Sequence, residues 1–219
     1  MASLQSLKFD RTGWILFQES ESKLVFGNDA KEPSDVLSVH YFPIPPDIVA
    51  PLNDIKTLRD SYRSGANQAG AGLISADILT AGGVPAVKTL LKFPQEPTGM
   101  TYVGSISMPF RDFSYVVKVQ CFEVGMTGAR EAVVMAHLLQ EGKAEIDPEK
   151  NRLKGWSTDP YDPEQEFPNM PNMAEDEQWD GEFAGHPLTR VRRHLEKLLD
   201  TLDLDDELFE AEPFRGPPQ

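Results

Sequence analysis

Histidine and cysteine are the side chains most often used for catalysis and metal binding, and this sequence contains few of them. Its 219 residues include four histidines and one cysteine, which are His40, His137, His186, His194 and Cys121. No histidine has a second histidine or a cysteine at the spacing of a zinc motif. A single cysteine also excludes an intramolecular disulfide and a cysteine-rich zinc site. The spacing of these residues therefore predicts no metal and no cofactor.

Two of these side chains are better explained by folding than by chemistry. Cys121 lies on the same face of a predicted strand as Val117 and Val119, so its thiol is expected to act as a small hydrophobe in the core. His137 is expected near the inner face of a helix, as a structural histidine. No Ser–His–Asp order and no pair of buried carboxylates can be identified from spacing. We therefore predict that the protein is not an enzyme.

The charge of the chain narrows the range of partners. The formal net charge is −14, and most of the acidic excess follows Glu145. Nucleic-acid affinity comes largely from basic side chains that displace counterions, so nucleic acid is not an expected partner. No segment approaches the roughly 20 apolar residues of a membrane span, and the first residues lack an apolar signal-peptide run. We predict a cytoplasmic protein without stable membrane insertion.

Alternation of apolar and polar residues from Leu73 to Val124 predicts the centre of the fold. Four runs with this pattern are separated by turn signals, and a period of two places successive side chains on opposite faces of a sheet. In the last run, one face is formed by Phe113, Tyr115, Val117, Val119 and Cys121. The connections between runs are too short for parallel crossovers. The sequence therefore predicts an α+β fold with an antiparallel sheet of about six strands around a central four-stranded meander.

Helices are predicted on either side of the meander in the chain. One follows Pro51, with apolar residues at helical spacing and glycines at its end. The other is predicted from Gly128 to Glu141 with Thr127 as its N-cap. Its predicted inner stripe consists of Ala129, Ala132, Val133, Ala136 and Leu139.

Composition divides the chain into three predicted segments. Residues 1–142 form the α+β sheet domain, residues 143–186 an acidic, proline-rich linker or arm, and residues 187–219 a C-terminal amphipathic helix and tail. The arm has too few apolar residues to form a core of its own. Its aromatic residues, Trp156, Tyr161, Phe167, Trp179 and Phe183, either attach it to its own domain or form a partner-binding motif.

The C-terminal helix, from Pro187 to Leu202, provides the candidate partner-binding residues. Its apolar stripe is formed by Leu188, Val191, Leu195, Leu198, Leu199 and Leu202, and Arg190, Arg193 and Trp179 complete the candidate set. Arginines at a helix N-terminus oppose the helix dipole, so carboxylates of the arm or of a partner are expected beside them. The stripe is expected to dock on its own domain, on a second copy or on a client.

The element order resembles that of the PsbP-like superfamily. Hairpin, strand, helix, four-stranded meander and helix follow each other over about residues 7–141, with Gly-Gly-Val-Pro-Ala at 82–86 opening the second meander strand. This superfamily includes a photosystem II subunit, a Ran-GTPase release factor and the Eag chaperones of type VI secretion. The resemblance implies a sheet sandwiched with helices and no catalysis.

These expectations combine into a functional hypothesis. We predict a non-catalytic, cytoplasmic protein-binding module, a chaperone or adaptor for a secreted or membrane-destined client in the manner of the Eag proteins. The partner would then be a protein, either a secreted effector or a second copy. One alternative is an immunity or regulatory protein that neutralises a basic partner through its acidic surface. A second is a hydrolase or transferase whose site is not visible in the sequence.

The sheet itself offers a further candidate surface. The outer face of the last two meander strands carries mainly polar side chains, namely Thr101, Ser105, Ser107, Ser114, Lys118 and Gln120. A sheet covered by helices on both sides would carry more apolar residues there. This face is therefore expected to be thinly covered by the tail or to bind a partner.

Overall fold

A seven-stranded antiparallel sheet is the centre of the fold in the computed structural model, which describes residues 2–28, 35–148 and 152–217. The first eight strands of the chain are β1 (Leu7–Lys8), β2 (Trp14–Glu19), β3 (Lys23–Asn28), β4 (Val36–Phe42), β5 (Gly72–Ala81), β6 (Val84–Pro94), β7 (Met100–Pro109) and β8 (Ser114–Phe122). The sheet order is β2-β3-β4-β8-β7-β6-β5. The predicted antiparallel α+β architecture is confirmed, with seven strands in this sheet.

One face of the sheet carries the main core. Tyr115, Val117, Val119 and Cys121 of β8 are fully buried on this face, as the alternation predicted. Leu37 and Val39 of β4 lie opposite Val119 and Val117 in the strand register, so their side chains continue the same layer. Burial of large apolar side chains on one side of paired strands supplies most of the driving force for this arrangement.

The described residues contain three α-helices: α1 (Ile55–Gln68), α2 (Ala129–Gln140) and α3 (Pro187–Thr201), of which α1 and α3 pack on the sheet and α2 packs on the arm. The Asp54 carboxylate caps α1 by accepting a hydrogen bond from the Thr57 N–H at 3.2 Å. Helix α1 packs on β5 through a small cluster that includes Ala66 and Leu73, while α3 lies across β7 and β8. Among the described residues, no helix is long and apolar enough to cross a bilayer.

Helix α2 differs from its prediction at its start and on its buried side. Gly128, with φ of 72°, is the N-cap, and Thr127 is not. The buried side consists of Arg130, Val134 and Leu138, whereas Val133 of the predicted stripe is 54% exposed. The predicted stripe was wrong because alanines mark the inner face of a helix weakly.

His137 also departs from the prediction. It is exposed, with Nε2 3.3 Å from a carboxylate oxygen of Glu141 and its ring edge-on to Trp179. The buried side of α2 faces the arm, and this rotates His137 outward.

The arm packs against the sheet domain through its aromatic residues. Trp156, Trp179 and Phe183 contact the cluster beneath α2, which contains Val134 and Leu138. The Tyr161 hydroxyl, in contrast, lies at β5, where it accepts a hydrogen bond from the Ala76 N–H at 2.7 Å. These contacts attach the arm to its own domain. The three predicted segment boundaries stay a prediction.

Short strands complete the described structure. Strands β9 (Glu145–Asp147) and β10 (Arg152–Lys154) pair within the arm, and β11 (Asp203–Leu204) follows α3. Strand β11 pairs with β1, and Leu7 lies opposite Leu204. The two ends of the described chain are therefore joined in one small sheet beside the main core.

Gly104 on β7 sets the distance between the sheet and α3. A Cβ at this position would lie 2.5 Å from Leu195 Cδ1 and 2.6 Å from Val191 Cγ1, which is closer than carbon atoms approach. We expect Gly104→Ala to lower the free energy of unfolding by about 1–3 kcal/mol, because extra volume in a packed core forces atoms apart. Urea denaturation followed by circular dichroism measures this change.

Gly65 supplies the matched control for this prediction. It is exposed in the interior of α1, and nothing lies within 4 Å of a Cβ built there. Gly65→Ala is therefore expected to raise the free energy of unfolding by about 0.5–1 kcal/mol, because alanine loses less conformational entropy in a helix. Equal changes at the two positions would contradict the close approach of α3 to β7.

Candidate functional site

The apolar residues predicted to bind a partner lie against the protein's own sheet. Leu188, Val191, Leu195, Leu198 and Leu202 are buried in the main core, and Leu199 packs at its margin. The apolar stripe of α3 thus docks on its own domain, one of the three receivers that the sequence left open. Binding of a partner by these residues stays a prediction.

Two of the three arginines at the start of α3 are paired with carboxylates, which offset their position against the helix dipole. Arg190 forms hydrogen bonds to both carboxylate oxygens of Asp35, at 3.1–3.2 Å. Arg192 lies 3.0 Å from Asp180 of the arm. Arg193 is exposed and donates a hydrogen bond to the Ala184 carbonyl at 3.2 Å.

The remaining candidate, Trp179, is half-buried between the arm and α2. Its indole Nε1–H donates a hydrogen bond to the Met173 carbonyl at 3.1 Å. The polar tip of the side chain is therefore satisfied within the arm, and its ring contacts the α2 cluster. Trp179 therefore helps to attach the arm to α2.

The polar face of the meander is only partly open. Ser114 is buried, and the other five predicted residues are half-buried. The Ser105 hydroxyl lies 2.7 Å from the Thr89 hydroxyl of the neighbouring strand, so these two polar groups satisfy each other. This face offers less free surface than the sequence suggested.

An exposed apolar segment lies instead on β2, at one edge of the sheet. Ile15, Leu16 and Phe17 are 59%, 40% and 63% exposed. Within the described residues, β2 pairs only with β3, so its other edge carries backbone groups outside the sheet's hydrogen bonding. The strand register shifts between Leu16 and Gln18, which makes Phe17 the extra residue of a bulge. The sequence showed an opening hairpin here but gave no sign that it would be an edge.

A second candidate site is a pocket of about 250 Å³ beside the start of α2. Three carboxylates line it: Glu123 follows β8, Glu131 lies on α2 and Glu175 belongs to the arm. Glu175 pairs with Lys92 at 2.7 Å, and both side chains are almost fully buried. Burial raises the pKa of Glu175, and the Lys92 charge opposes this effect. The Lys92–Glu175 pair leaves Glu123 and Glu131 as the other two acidic groups of the pocket.

Backbone and tyrosine groups orient these two carboxylates. Glu123 accepts hydrogen bonds from the Met100 N–H at 2.8 Å and from the Gly128 N–H at 2.9 Å. The Tyr102 hydroxyl lies 3.4 Å from Glu131 Oε1 and 3.3 Å from Glu175 Oε1. Burial and these carboxylates raise the pKa of Tyr102, so its hydroxyl keeps its proton.

His186, the N-cap of α3, approaches the same two carboxylates from the arm. Its Nε2 lies 3.8 Å from Glu131 Oε1 and 3.9 Å from Glu123 Oε1. Burial, followed by the nearby charges of Arg130 and Arg190, lowers the pKa of His186 to about 3. The imidazole is therefore neutral at pH 7. The sequence gave no sign of this cluster because His186 lies far along the chain from Glu123 and Glu131.

A third cluster joins Asp35, Cys121 and His194 near the middle of α3. His194 Nε2 lies 3.1 Å from Asp35 Oδ2. The same carboxylate forms an ion pair with Arg190. Burial raises the pKa of the Cys121 thiol, which therefore stays protonated. A protonated thiol without solvent access is a poor nucleophile, so this cluster fits a structural role.

A cleft of about 530 Å³ lies between β5, β6, the arm and α3. Leu195 and Leu199 of the predicted partner-binding set are among its walls, together with Trp156, Lys88 and Arg192. The apolar stripe of α3 thus forms part of the wall of this cleft.

The comparisons with known proteins are all distant. No family model matches the sequence. A curated protein of Culex quinquefasciatus, described as a maelstrom homolog, is 28% identical over 112 residues, which is 51% of this chain and 22% of that protein. The chain thus spans about a fifth of the length of this relative.

Solved structures resemble the fold at low similarity. The Ran-binding protein Mog1p of Saccharomyces cerevisiae aligns over 93% of each chain with 8% identity and a TM-score of 0.46. PsbP of Synechocystis aligns over 63% of this chain and 84% of its own, with 16% identity and a TM-score of 0.37. A putative regulator of Pseudomonas aeruginosa aligns over 61% and 96%, with 13% identity and a TM-score of 0.37. Similarities of this size assign no family and no function.

Proposed function

We propose that this protein is a non-catalytic binding module that adds an extended segment of a partner protein to the free edge of β2. The observation that carries the proposal is the exposure of Ile15, Leu16 and Phe17 on an edge strand. An edge strand presents unpaired N–H and C=O groups, which an incoming strand can satisfy. The adjacent apolar side chains would gain burial at the same time.

The local geometry favours a partner that covers both faces of β2. Leu16 lies opposite Phe26 of β3, a residue of the main core, whereas the Phe17 ring packs over Gly27, 3.2 Å from where a Cβ would stand. Apolar side chains are thus available on each side of the strand. An extended partner segment with apolar residues on both of its faces would match this pattern.

The charge of the chain indicates the rest of the partner's chemistry. The net charge is −14, and Glu19 and Glu21 lie at the end of β2. A basic partner would be attracted over distances of about a Debye length, roughly 8–10 Å at moderate salt. A chaperone or adaptor for a secreted or membrane-destined client would use such a surface, since these clients expose extended apolar segments. The alternative, an immunity or regulatory protein that neutralises a basic partner (the neutralising module), would use the same negative charge but would rely less on the apolar side chains of β2.

The partner is identified by affinity capture from the source organism, and its affinity for the purified protein is then measured by calorimetry. We expect the double variant Ile15→Ser, Phe17→Ser to weaken binding about 10- to 100-fold, because each exposed apolar side chain contributes roughly 1 kcal/mol when partly buried. Hydrogen exchange of β2 amides should slow in the complex.

Val133→Ser serves as the matched control, because Val133 is equally exposed on α2 and outside the proposed surface. It should leave the affinity unchanged. Loss of affinity on raising salt without any effect of the double variant would support the neutralising module and refute edge addition. Self-association that slows exchange in β2 without a partner would identify a second copy as the occupant.

A further inference from the structure

Glu123, Glu131 and His186 bring together the types of donor atom that bind cations. Their three candidate ligand atoms lie within 4.8 Å of one another. Within the described residues, neither His186 Nε2 nor Glu131 Oε2 has a hydrogen-bond partner. The His186 side chain is 7% exposed, so its unpartnered nitrogen is shielded from bulk solvent. Buried polar atoms without partners point to a missing ligand.

We propose that Glu123, Glu131 and His186 bind a divalent transition-metal ion, with Zn²⁺ the best match. Two carboxylates and an imidazole offer two oxygen donors and one nitrogen donor, a combination that suits a divalent ion of this class. Nitrogen and oxygen donors in a set of three are typical of zinc sites that keep a fourth position open. That position would face the pocket, because Glu123 and Glu131 both line it.

The spacing of the donor atoms requires little rearrangement. Nε2 lies 3.8 and 3.9 Å from the two carboxylate oxygens. Ligand atoms around a tetrahedral zinc ion are about 3.4 Å apart, given bonds of about 2.0–2.1 Å. A contraction of about half an ångström would bring the two histidine–carboxylate pairs to this spacing, and the two carboxylate oxygens already lie within 4.8 Å of each other.

The surroundings of the carboxylates also suit a metal site. Outer hydrogen bonds usually hold ligating carboxylates in place. Glu123 receives two backbone N–H groups, and Glu131 lies beside the Tyr102 hydroxyl. The cluster of Asp35, Cys121 and His194 offers similar donor types, but the Arg190 guanidinium already supplies the cation there. The two clusters differ in this respect, and only the first has a site for an added ion.

Metal binding would have a recognisable effect on α3. The Leu188 N–H donates a hydrogen bond to His186 Nδ1 at 3.3 Å, so the hydrogen of the neutral ring is on Nε2. Coordination through Nε2 moves this hydrogen to Nδ1 and releases the Leu188 N–H. One long capping bond is weak compared with coordination of a divalent ion. A change at the Leu188 amide is therefore a specific signature of this site.

Calorimetric titration of the chelator-treated full chain with ZnCl₂ tests the proposal. We expect saturation at one ion per chain, and a displaced Leu188 amide resonance in the nitrogen–proton NMR spectrum at the same ratio. Glu131→Gln and His186→Asn should each raise the dissociation constant for Zn²⁺ about 100-fold or more. Asparagine is a strong N-cap, so His186→Asn keeps the start of α3, which an unchanged melting temperature verifies.

His137→Gln is the control, because His137 and Glu141 form an exposed pair on α2 that could also attract zinc. It should leave the affinity and the Leu188 shift unchanged. Loss of binding in this variant alone would overturn the proposal. Weak, unsaturable binding that neither cluster substitution alters would also overturn it, by showing that Zn²⁺ is only a counterion of the acidic surface. The absence of any binding would do the same.

Discussion

Replacement of Leu195 by aspartate is expected to remove most of the stability of the fold. Leu195 is buried on the inner face of α3, against Gly104 of β7. Loss of a buried leucine side chain alone typically lowers the free energy of unfolding by about 2–5 kcal/mol. A carboxylate without a partner in the same position adds a desolvation penalty. We expect a total loss of about 4 kcal/mol or more, a large part of the 5–15 kcal/mol of a typical domain.

Urea denaturation monitored by circular dichroism measures this loss. Glu196, the next residue on α3, is exposed, and Glu196→Ser provides the matched control with an expected change within about 0.5 kcal/mol. If Leu195→Asp kept the wild-type midpoint, the apolar stripe of α3 would not be docked on the sheet in solution. The stripe would then be free to bind a partner, as its sequence alone allowed.

Replacement of Arg130 by methionine is expected to have the second large effect. This side chain is fully buried and connects α2, the arm and α3. Its guanidinium donates hydrogen bonds to the carbonyls of Ala174 and Asp176, the Asp180 carboxylate and the Thr189 hydroxyl, at 2.5–2.9 Å. Methionine would remove all four hydrogen bonds, although the Asp180 carboxylate would keep Arg192 and the Asp176 carbonyl would keep the Trp179 N–H. We therefore expect a loss of about 3 kcal/mol, the lower end of the cost of removing one partner from a buried ion pair.

Two further arginine variants separate charge from geometry. Arg130→Lys keeps the charge but cannot reproduce the planar fork of donors, so an intermediate loss of stability is expected. Arg193→Met removes an exposed arginine with a single backbone contact and should change stability by no more than about 0.5 kcal/mol. Thermal or urea unfolding of the three variants would refute the role of Arg130 if all three behaved alike.

The sheet could be predicted from the sequence because its signal is local. In β8, Tyr115, Val117 and Val119 share one face of the predicted strand, and the structure buries these three. The order of strands in the sheet has no such signal. The edge position of β2 follows from pairing between distant parts of the chain, so the exposure of Phe17 could not be foreseen.

The buried side of α2 and the metal-like cluster were hidden for the same physical reason. Arg130 looks like a surface residue until Asp180 and Thr189, 50 or more residues later, supply its acceptors. His186 reaches Glu131 only because the arm returns to the start of α2. Neighbours in space that are remote in the chain leave no spacing pattern. The helix dipole is a local property, so the sequence could predict a carboxylate of the arm beside Arg192, but it could not predict that Arg190 would pair with Asp35 of the sheet domain.

The position of α3 in the chain has a consequence for the order of folding. The strands that it covers, β7 and β8, end at residue 122, whereas α3 starts at Pro187 and β11 closes on β1 only at residue 203. A nascent chain that has left the ribosome only as far as the arm therefore has a paired sheet without the cover for its apolar face. Until Leu188 and the residues after it emerge, that face is open to chaperones and to other nascent chains. The apolar face under α3 is thus covered only after the strands of the sheet and the arm have been synthesised.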